Sequence, residues 1–441
     1  MNSRSIDSTD HPSKSATAEN SVRNSTTTVH QCGNKFGPPP AYRNVGVSYH
    51  PIKQTEGRHW EERSMRIALV GLFAAALIGV AAAQDNKEPV KLGAIEVLTG
   101  PNNRYGIPAQ RAFDLAIEEI NKAGGVLGGR PIAIAYEDSA GNKDQAMNAA
   151  RKLIGRDKVP LILGPTLSNE MFAVGPVVND RKIPIIGTST TANGITAIGP
   201  WVFRTAMPES DVIPVTLKTA KEKLGVKKVV VMYANDDAFT KSAYDVMKDT
   251  LAKLGVETLA TETFSDKDTD FTAQLTKAKN LNPDAIVVSA HVDSGSGILL
   301  QGRQLGIGKN VRFIGGNGFN SPKLAEIAGE AADGTLVGSP WFLAKKDDVN
   351  QRFVKSYKSK YGEDPDQFAA QAYDSMYLVA RAINAAGGTE PEKLRSALQK
   401  VTNVGVMGPF SFTEGRDPAD TSGVVILEMQ GGKFRIFGET S

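Results

Sequence analysis

From Val90 onward, short β-branched and apolar runs alternate with longer segments whose apolar residues recur at helical spacing. This rhythm restricts the fold more than any other feature. Strands separated by helix-length segments pair in parallel through crossovers, so the pattern predicts α/β layers with parallel sheets. Strands are expected at 90–97, 132–137, 159–163, 183–187, 229–233, 258–264, 285–289 and 311–315. Helices are expected at 109–122, 143–156, 169–179, 212–224, 240–254, 271–280, 295–304, 349–360, 369–385 and 391–400. In the first of these, Ala112, Leu115, Ala116 and Ile120 share a face, Pro108 suits the first turn and Gly124 the C-terminal end. Short strands at 409–412, 423–428 and 434–437 close the chain. No repeat of 20 to 50 residues is present, which excludes a solenoid.

The distribution of reactive residues narrows the chemistry. Residues 1–83 hold nine of the 51 basic and six of the 48 acidic side chains, four of the five histidines and the single cysteine, Cys32. The remainder is formally neutral, with His291 as its one histidine. Such a chain gives no electrostatic reason to bind nucleic acid. It cannot assemble a zinc site, a thiol nucleophile or a disulfide framework, and any serine triad must use His291. No metal, cofactor or catalytic residue is expected.

Met65 and Arg66 precede the apolar run 67–83, which ends in Ala81-Ala82-Ala83 before the polar Gln84-Asp85-Asn86-Lys87. Seventeen Ala- and Gly-rich residues with a small-residue end read as a secretory signal peptide over 65–83, cut after Ala83. No cysteine lies near Gln84 to take a lipid, so an exported, non-lipidated periplasmic protein is expected. Residues 1–64 are rich in Ser, Thr, Asn and Pro and cannot bury a core. They read as an unstructured or spuriously translated extension ahead of a working start at Met65.

A strand ends in the Pro-containing connector Phe203-Arg204-Thr205-Ala206-Met207-Pro208, and past about Gly338 the chain turns helical until roughly Val401. A helical block returning after a second α/β set implies two lobes, crossed more than once, with a hinge and a cleft.

Several segments carry a family resemblance: Leu98-Thr99-Gly100-Pro101 with Tyr105-Gly106, Ile120-Asn121-Lys122-Ala123-Gly124-Gly125 with Gly128, and Glu137-Asp138-Ser139. Leu163-Gly164 with Ser168, the stretch from Pro184 to Ser189, Phe203-Arg204-Thr205 and Asp268-Thr269-Asp270-Phe271 follow in order. The stretch 90–438 resembles the leucine/isoleucine/valine-binding family of periplasmic solute-binding proteins, type I, which serve ABC importers. The resemblance implies two Rossmann-like lobes joined by a three-crossover hinge, with lobe 1 from 90–205 and 340–403 and lobe 2 from 208–337 and 406–438. It also implies a monomer that hands a small molecule to an ABC transporter permease.

Open parallel sheets bind ligands at the carboxyl ends of their strands, which selects the loops after Leu163 and Gly187. Ser168 can cap the helix starting near Asn169, and free helix-terminal N–H groups with a hydroxyl suit a carboxylate. Ser189, Thr190 and Thr191 occupy a similar loop. Alone, such residues read as caps and turns. Their match to the family's carboxylate-binding positions points to Ser168, Ser189 and Thr191. The resemblance further implies that Tyr105 covers the ligand and that Phe239 and His291 reach in from the second lobe.

Asn317, in Gly315-Gly316-Asn317-Gly318, departs from the family pattern. Amino-acid-binding members carry an acid there for the ligand's ammonium group, because a buried cation needs a paired charge. Glu209 or Glu96 can supply that acid instead. Two ligand classes therefore stay open: an amino acid, branched-chain or other, and an aromatic or aliphatic acid or amide without the ammonium. Two other roles are weighed, a sensor module serving a membrane receptor and an exported hydrolase built on His291. The glycines at 124, 125, 128 and 129 follow a helix and form no dinucleotide fingerprint. Asp236-Asp237 and Asp347-Asp348 read as loop and helix-start residues, and Trp201 and Trp341 as packing beside the crossovers.

Overall fold

The computed structural model describes residues 87–439. The expected signal peptide and the preceding extension lie outside the described residues. The described chain begins with β1 (Val90–Glu96), α1 (Asn103–Lys122), β2 (Ile132–Asp138), α2 (Lys143–Gly155), β3 (Ile162–Leu163), α3 (Ser168–Asp180), β4 (Ile185–Gly187) and β5 (Val202–Arg204). Next come α4 (Glu209–Leu224), β6 (Lys228–Ala234), α5 (Ala238–Leu254), β7 (Glu257–Phe264), α6 (Thr272–Asn280), β8 (Ala285–Ser289), α7 (Val292–Gln304), β9 (Arg312–Gly315), α8 (Lys323–Ala328) and β10 (Leu336–Ser339). The chain ends with α9 (Asp348–Tyr361), α10 (Gln367–Ala386), α11 (Pro391–Lys400), β11 (Thr402–Gly405), β12 (Gly408–Ser411), β13 (Val425–Gln430) and β14 (Lys433–Ile436).

The strands build two main sheets. One has five parallel strands in the order β2-β1-β3-β4-β5. The other has seven in the order β14-β13-β10-β9-β8-β6-β7, with β13 antiparallel to both of its neighbours. Successive side chains of a strand face opposite sides, so the inner parallel strands bury both faces, while the edge strands β2 and β7 stay partly exposed. In the first sheet, Leu92, Leu163, Ile186 and Phe203 pack into a core with α1 and α10, while Ile95, Ile162, Ile185 and Val202 pack into another with α2 and α3. The second sheet divides likewise: Val230, Met232, Ile286 and Val288 meet α7 and α8, and Val229, Val231, Ala285 and Val287 meet α4 and α5.

Three segments cross between the sheets. The chain leaves the first sheet after β5, returns after β10 so that α10 packs on α1, and leaves again before β13. The third crossing comes later than expected. Residues 406–418, read from sequence as lobe 2, pack on the first lobe instead. Val406 and Phe412 are buried in the core with Phe203, the Asp374 carboxylate of α10 accepts from Val406 N and Met407 N, and Arg204 pairs with Asp417. Apolar burial holds this stretch on the first lobe before the chain passes over. The first helix also begins six residues early, at Asn103, leaving Pro108 inside it.

Candidate ligand-binding site

The carboxyl ends of β1, β3 and β4 face those of β6, β8 and β9 across a closed cleft. Tyr105, Thr166, Leu167, Ser168, Ser189, Thr191, Phe239, His291, Asn317, Gly318 and Phe368 enclose a hollow of about 300 Å³. It is narrow, and little of it would admit even a water molecule. The side chains of the two lobes nearly fill the space between them.

The first lobe supplies hydroxyls and backbone. Ser168 is the first residue of α3, and the capping position falls on Leu167, contrary to the expected cap. The Glu170 carboxylate turns back to accept from Leu167 N, which frees the Ser168 Oγ to accept from Ala192 N at 3.3 Å. That bond ties the Leu163 and Gly187 loops together. Ser189 Oγ donates to Thr166 O at 2.6 Å, and Thr191 Oγ1 is buried without a partner. Beneath this loop the buried Arg204 guanidinium donates to Ala192 O and pairs with Asp417, fixing the backbone that presents the hydroxyls.

Tyr105 comes from the first turn of α1, which lies tight on β1; a Cβ on Gly106 would fall 2.2 Å from Val97 O. The Tyr105 hydroxyl donates to Gly318 O at 2.8 Å and accepts from Val292 N at 2.7 Å, both on the second lobe. Its ring lies 4.7 Å from Phe368 and 6.0 Å from His291, and Phe239 stands 5.3 Å from His291. Gly318 is held by a similar constraint, since a Cβ there would meet Ala290 O at 2.2 Å.

His291 Nδ1 lies 2.9 Å from Asp266 Oδ1. Burial alone would lower its pKa, but the carboxylates of Asp237, Asp266 and Asp293 outweigh burial and raise it to about 9. The second lobe therefore presents an imidazolium to the hollow at neutral pH.

Glu209 is the one site residue that does not line the hollow. It sits behind Asn317, with Oε1 accepting from Asn317 N at 2.9 Å and Oε2 buried without a partner. Burial raises its pKa to about 7, and the Asn317 N–H only partly offsets this. Glu96 lies behind Thr166, which donates to it, and burial lifts its pKa to about 8. Sequence reasoning missed Thr166, Leu167, Gly318, Phe368 and Gln367. The first three adjoin loops already singled out. Phe368 and Gln367 begin a helix in the returning block, and only the fold brings that helix end to the cleft.

Further bonds cross the lobes outside the hollow. Arg104 pairs with Asp293 at 2.8 Å, Asn193 N donates to Ser242 Oγ at 2.8 Å, and Asn169 bonds both Asp237 and Ala238 N. Gln367 Nε2 donates to Asn317 Oδ1 at 2.6 Å. No group of three or more metal-binding side chains occurs among the described residues.

Residues 89–433 match the periplasmic binding protein family over most of the chain. The chain belongs to that family. It is 29% identical over 348 residues to a leucine-, isoleucine-, valine-, threonine- and alanine-binding protein of Pseudomonas aeruginosa, covering 78% of this chain and 92% of that protein. Among solved structures it resembles a branched-chain amino acid transporter substrate-binding protein of Streptococcus pneumoniae in complex with isoleucine, with 30% identity, a TM-score of 0.74, and 78% and 97% coverage. An ABC transporter solute-binding protein of Rhodopseudomonas palustris in complex with 3,4-dihydroxybenzoic acid matches with 26% identity, a TM-score of 0.72, and 79% and 95% coverage. The architecture is that of a type I periplasmic binding protein, two α/β lobes of mostly parallel strands around a cleft. Periplasmic binding proteins bind solutes.

Proposed function

We propose that this protein captures a small carboxylate-bearing solute, a branched-chain or other amino acid, in the periplasm and hands it as a monomer to the permease of an ABC importer. One observation carries this reading: Ser168, Ser189 and Thr191 on one lobe face Phe239, His291 and Asn317 on the other across a single narrow hollow. The hydroxyls and the backbone N–H groups of the first turn of α3 suit a carboxylate. The unpartnered Glu209 Oε2 just behind the wall suits an ammonium group. The relatives that bind branched-chain amino acids support the same solute class.

A second reading, an aromatic acid without an ammonium, has its own support. The walls carry three aromatic rings and the His291 imidazolium, and no lining residue is an acid. The relative bound to 3,4-dihydroxybenzoic acid agrees with this alternative. Calorimetry with L-leucine, 4-methylpentanoate and benzoate decides between them, because the first two differ only in the ammonium group. Leucine binding far tighter than 4-methylpentanoate supports the amino-acid reading. Benzoate binding tightest replaces it with the second, and no binding by any small carboxylate overturns both.

A further inference from the structure

Asn317 lines the cleft with its amide turned one way. Its Oδ1 accepts from Gln367 Nε2 at 2.6 Å. Gln367 is itself fixed, because its Oε1 accepts from Asn320 Nδ2 and from Ser339 Oγ. This network assigns the oxygen and the nitrogen of each amide. Asn317 Nδ2 is left as a donor with no acceptor among the described residues, and it is not sealed from solvent.

His291 repeats the pattern. Asp266 takes its Nδ1 at 2.9 Å, so Nε2 is the free nitrogen of a ring that lines the same narrow hollow. Because the surrounding carboxylates keep the ring an imidazolium, that nitrogen is a donor. The second lobe thus brings two free donors to the solute and no free side-chain acceptor. Closure around an apolar side chain strips water from both donors and returns no partner, whereas an acceptor oxygen restores the bonds. A site built in this way discriminates strongly against an analogue that lacks the acceptor.

The local charge selects the kind of acceptor. Asp266 is paired with His291 and Asp293 with Arg104, while Asp237 faces the neutral Asn169. The Glu209 carboxyl backs Asn317. A second full negative charge on the solute therefore enters surroundings that already carry an excess of carboxylates, and a neutral oxygen does not.

Resting on the amino-acid reading above, we infer that Asn317 and His291 are specificity-determining residues that select a side chain ending in a neutral acceptor oxygen. A carboxamide is the simplest case, preferred over both branched aliphatic and acidic side chains.

L-leucine, L-asparagine and L-aspartate share one heavy-atom skeleton, so calorimetry with the full chain isolates the side-chain chemistry. L-glutamine and L-glutamate repeat the comparison one carbon longer. The better-bound amide should bind at least tenfold tighter than leucine and than its own acid. His291→Phe, which keeps a ring and removes the donor, should cut the amide-to-leucine affinity ratio about tenfold. Asn317→Asp keeps an oxygen toward Gln367 and exchanges the free donor for an acceptor; it should cut the ratio at least as far, and it serves if the histidine variant does not fold. Leucine binding as tightly as the better-bound amide, an acid binding tightest, or a ratio that neither variant moves overturns this inference and leaves the amino-acid reading standing. No binding by any of the five amino acids overturns both.

Discussion

Asn317 rests directly on Glu209: the asparagine N–H donates to the buried Glu209 carboxylate at 2.9 Å, while its side-chain oxygen accepts from Gln367 at 2.6 Å. At Asn317 the wall of the cleft is therefore neutral at its surface and backed by a carboxyl group one layer behind. The Glu209 charge state, set by burial, governs whether that wall attracts a cation. The Asn317–Gln367 bond also joins the second lobe to α10 of the first.

Glu209→Gln should weaken L-leucine by roughly tenfold to a hundredfold, the scale of a lost charged hydrogen bond, and leave 4-methylpentanoate within about twofold. Because the Glu209 pKa is raised to about 7, only its ionised form pairs with an ammonium, so leucine affinity should rise about tenfold between pH 6 and 8. The variant should flatten that dependence. Calorimetry at the two pH values checks both, and equal losses for the two ligands would remove Glu209 from the ammonium site.

Tyr105→Phe removes the hydroxyl that bridges the cleft to Gly318 and Val292. Two hydrogen bonds made only in the closed form contribute about 1–3 kcal/mol together, so ligand affinity should fall roughly tenfold or more. The melting temperature without ligand should change little, since the freed groups meet water when the lobes part. Calorimetry paired with thermal unfolding separates the two effects.

Asn317→Ala should impair closure more than capture. The substitution deletes the side-chain bond to Gln367 but leaves Ser168 and Ser189 of the first lobe intact. Small-angle scattering should show less compaction on ligand addition than the parent protein shows. Unchanged compaction would move control of closure elsewhere, for example to the Arg104–Asp293 pair.

Stability should fall as pH rises from about 5 to 9. Burial raises Glu96 to about 8 and Glu170, Glu209 and Asp366 to about 7, so in this window the folded chain holds protons that the unfolded chain releases near 4. His291 works in the same direction. Its folded value of about 9 exceeds the ordinary 6.5, so its contribution is complete below 6.5 and disappears as pH passes 9. Melting temperatures of the ligand-free protein across this range test the sign, and a rise toward pH 9 would contradict it.

The alternating layers were legible from sequence because a strand buried on both faces needs a continuous apolar run, as in Val229-Val230-Val231-Met232, and a packed helix needs a stripe, as in Ala112, Leu115, Ala116 and Ile120. The position of the Ser168 and Ser189 loops followed from strand direction. The end of the third crossover did not, because Val406 and Phe412 are apolar enough for either lobe and only packing against Phe203 selects one.

The sequence by itself determined a two-sheet α/β chain with hydroxyl-rich loops at strand ends and almost no metal- or thiol-based chemistry, since periodicity and composition are local properties of the chain. Only the tertiary structure decided that Glu209 stands behind Asn317, that Phe368 closes on Tyr105, and that Gln367 takes the side-chain oxygen of Asn317. Those relationships join residues tens to hundreds of positions apart. Their distances are set by how two separately buried cores meet, and no local pattern encodes that meeting.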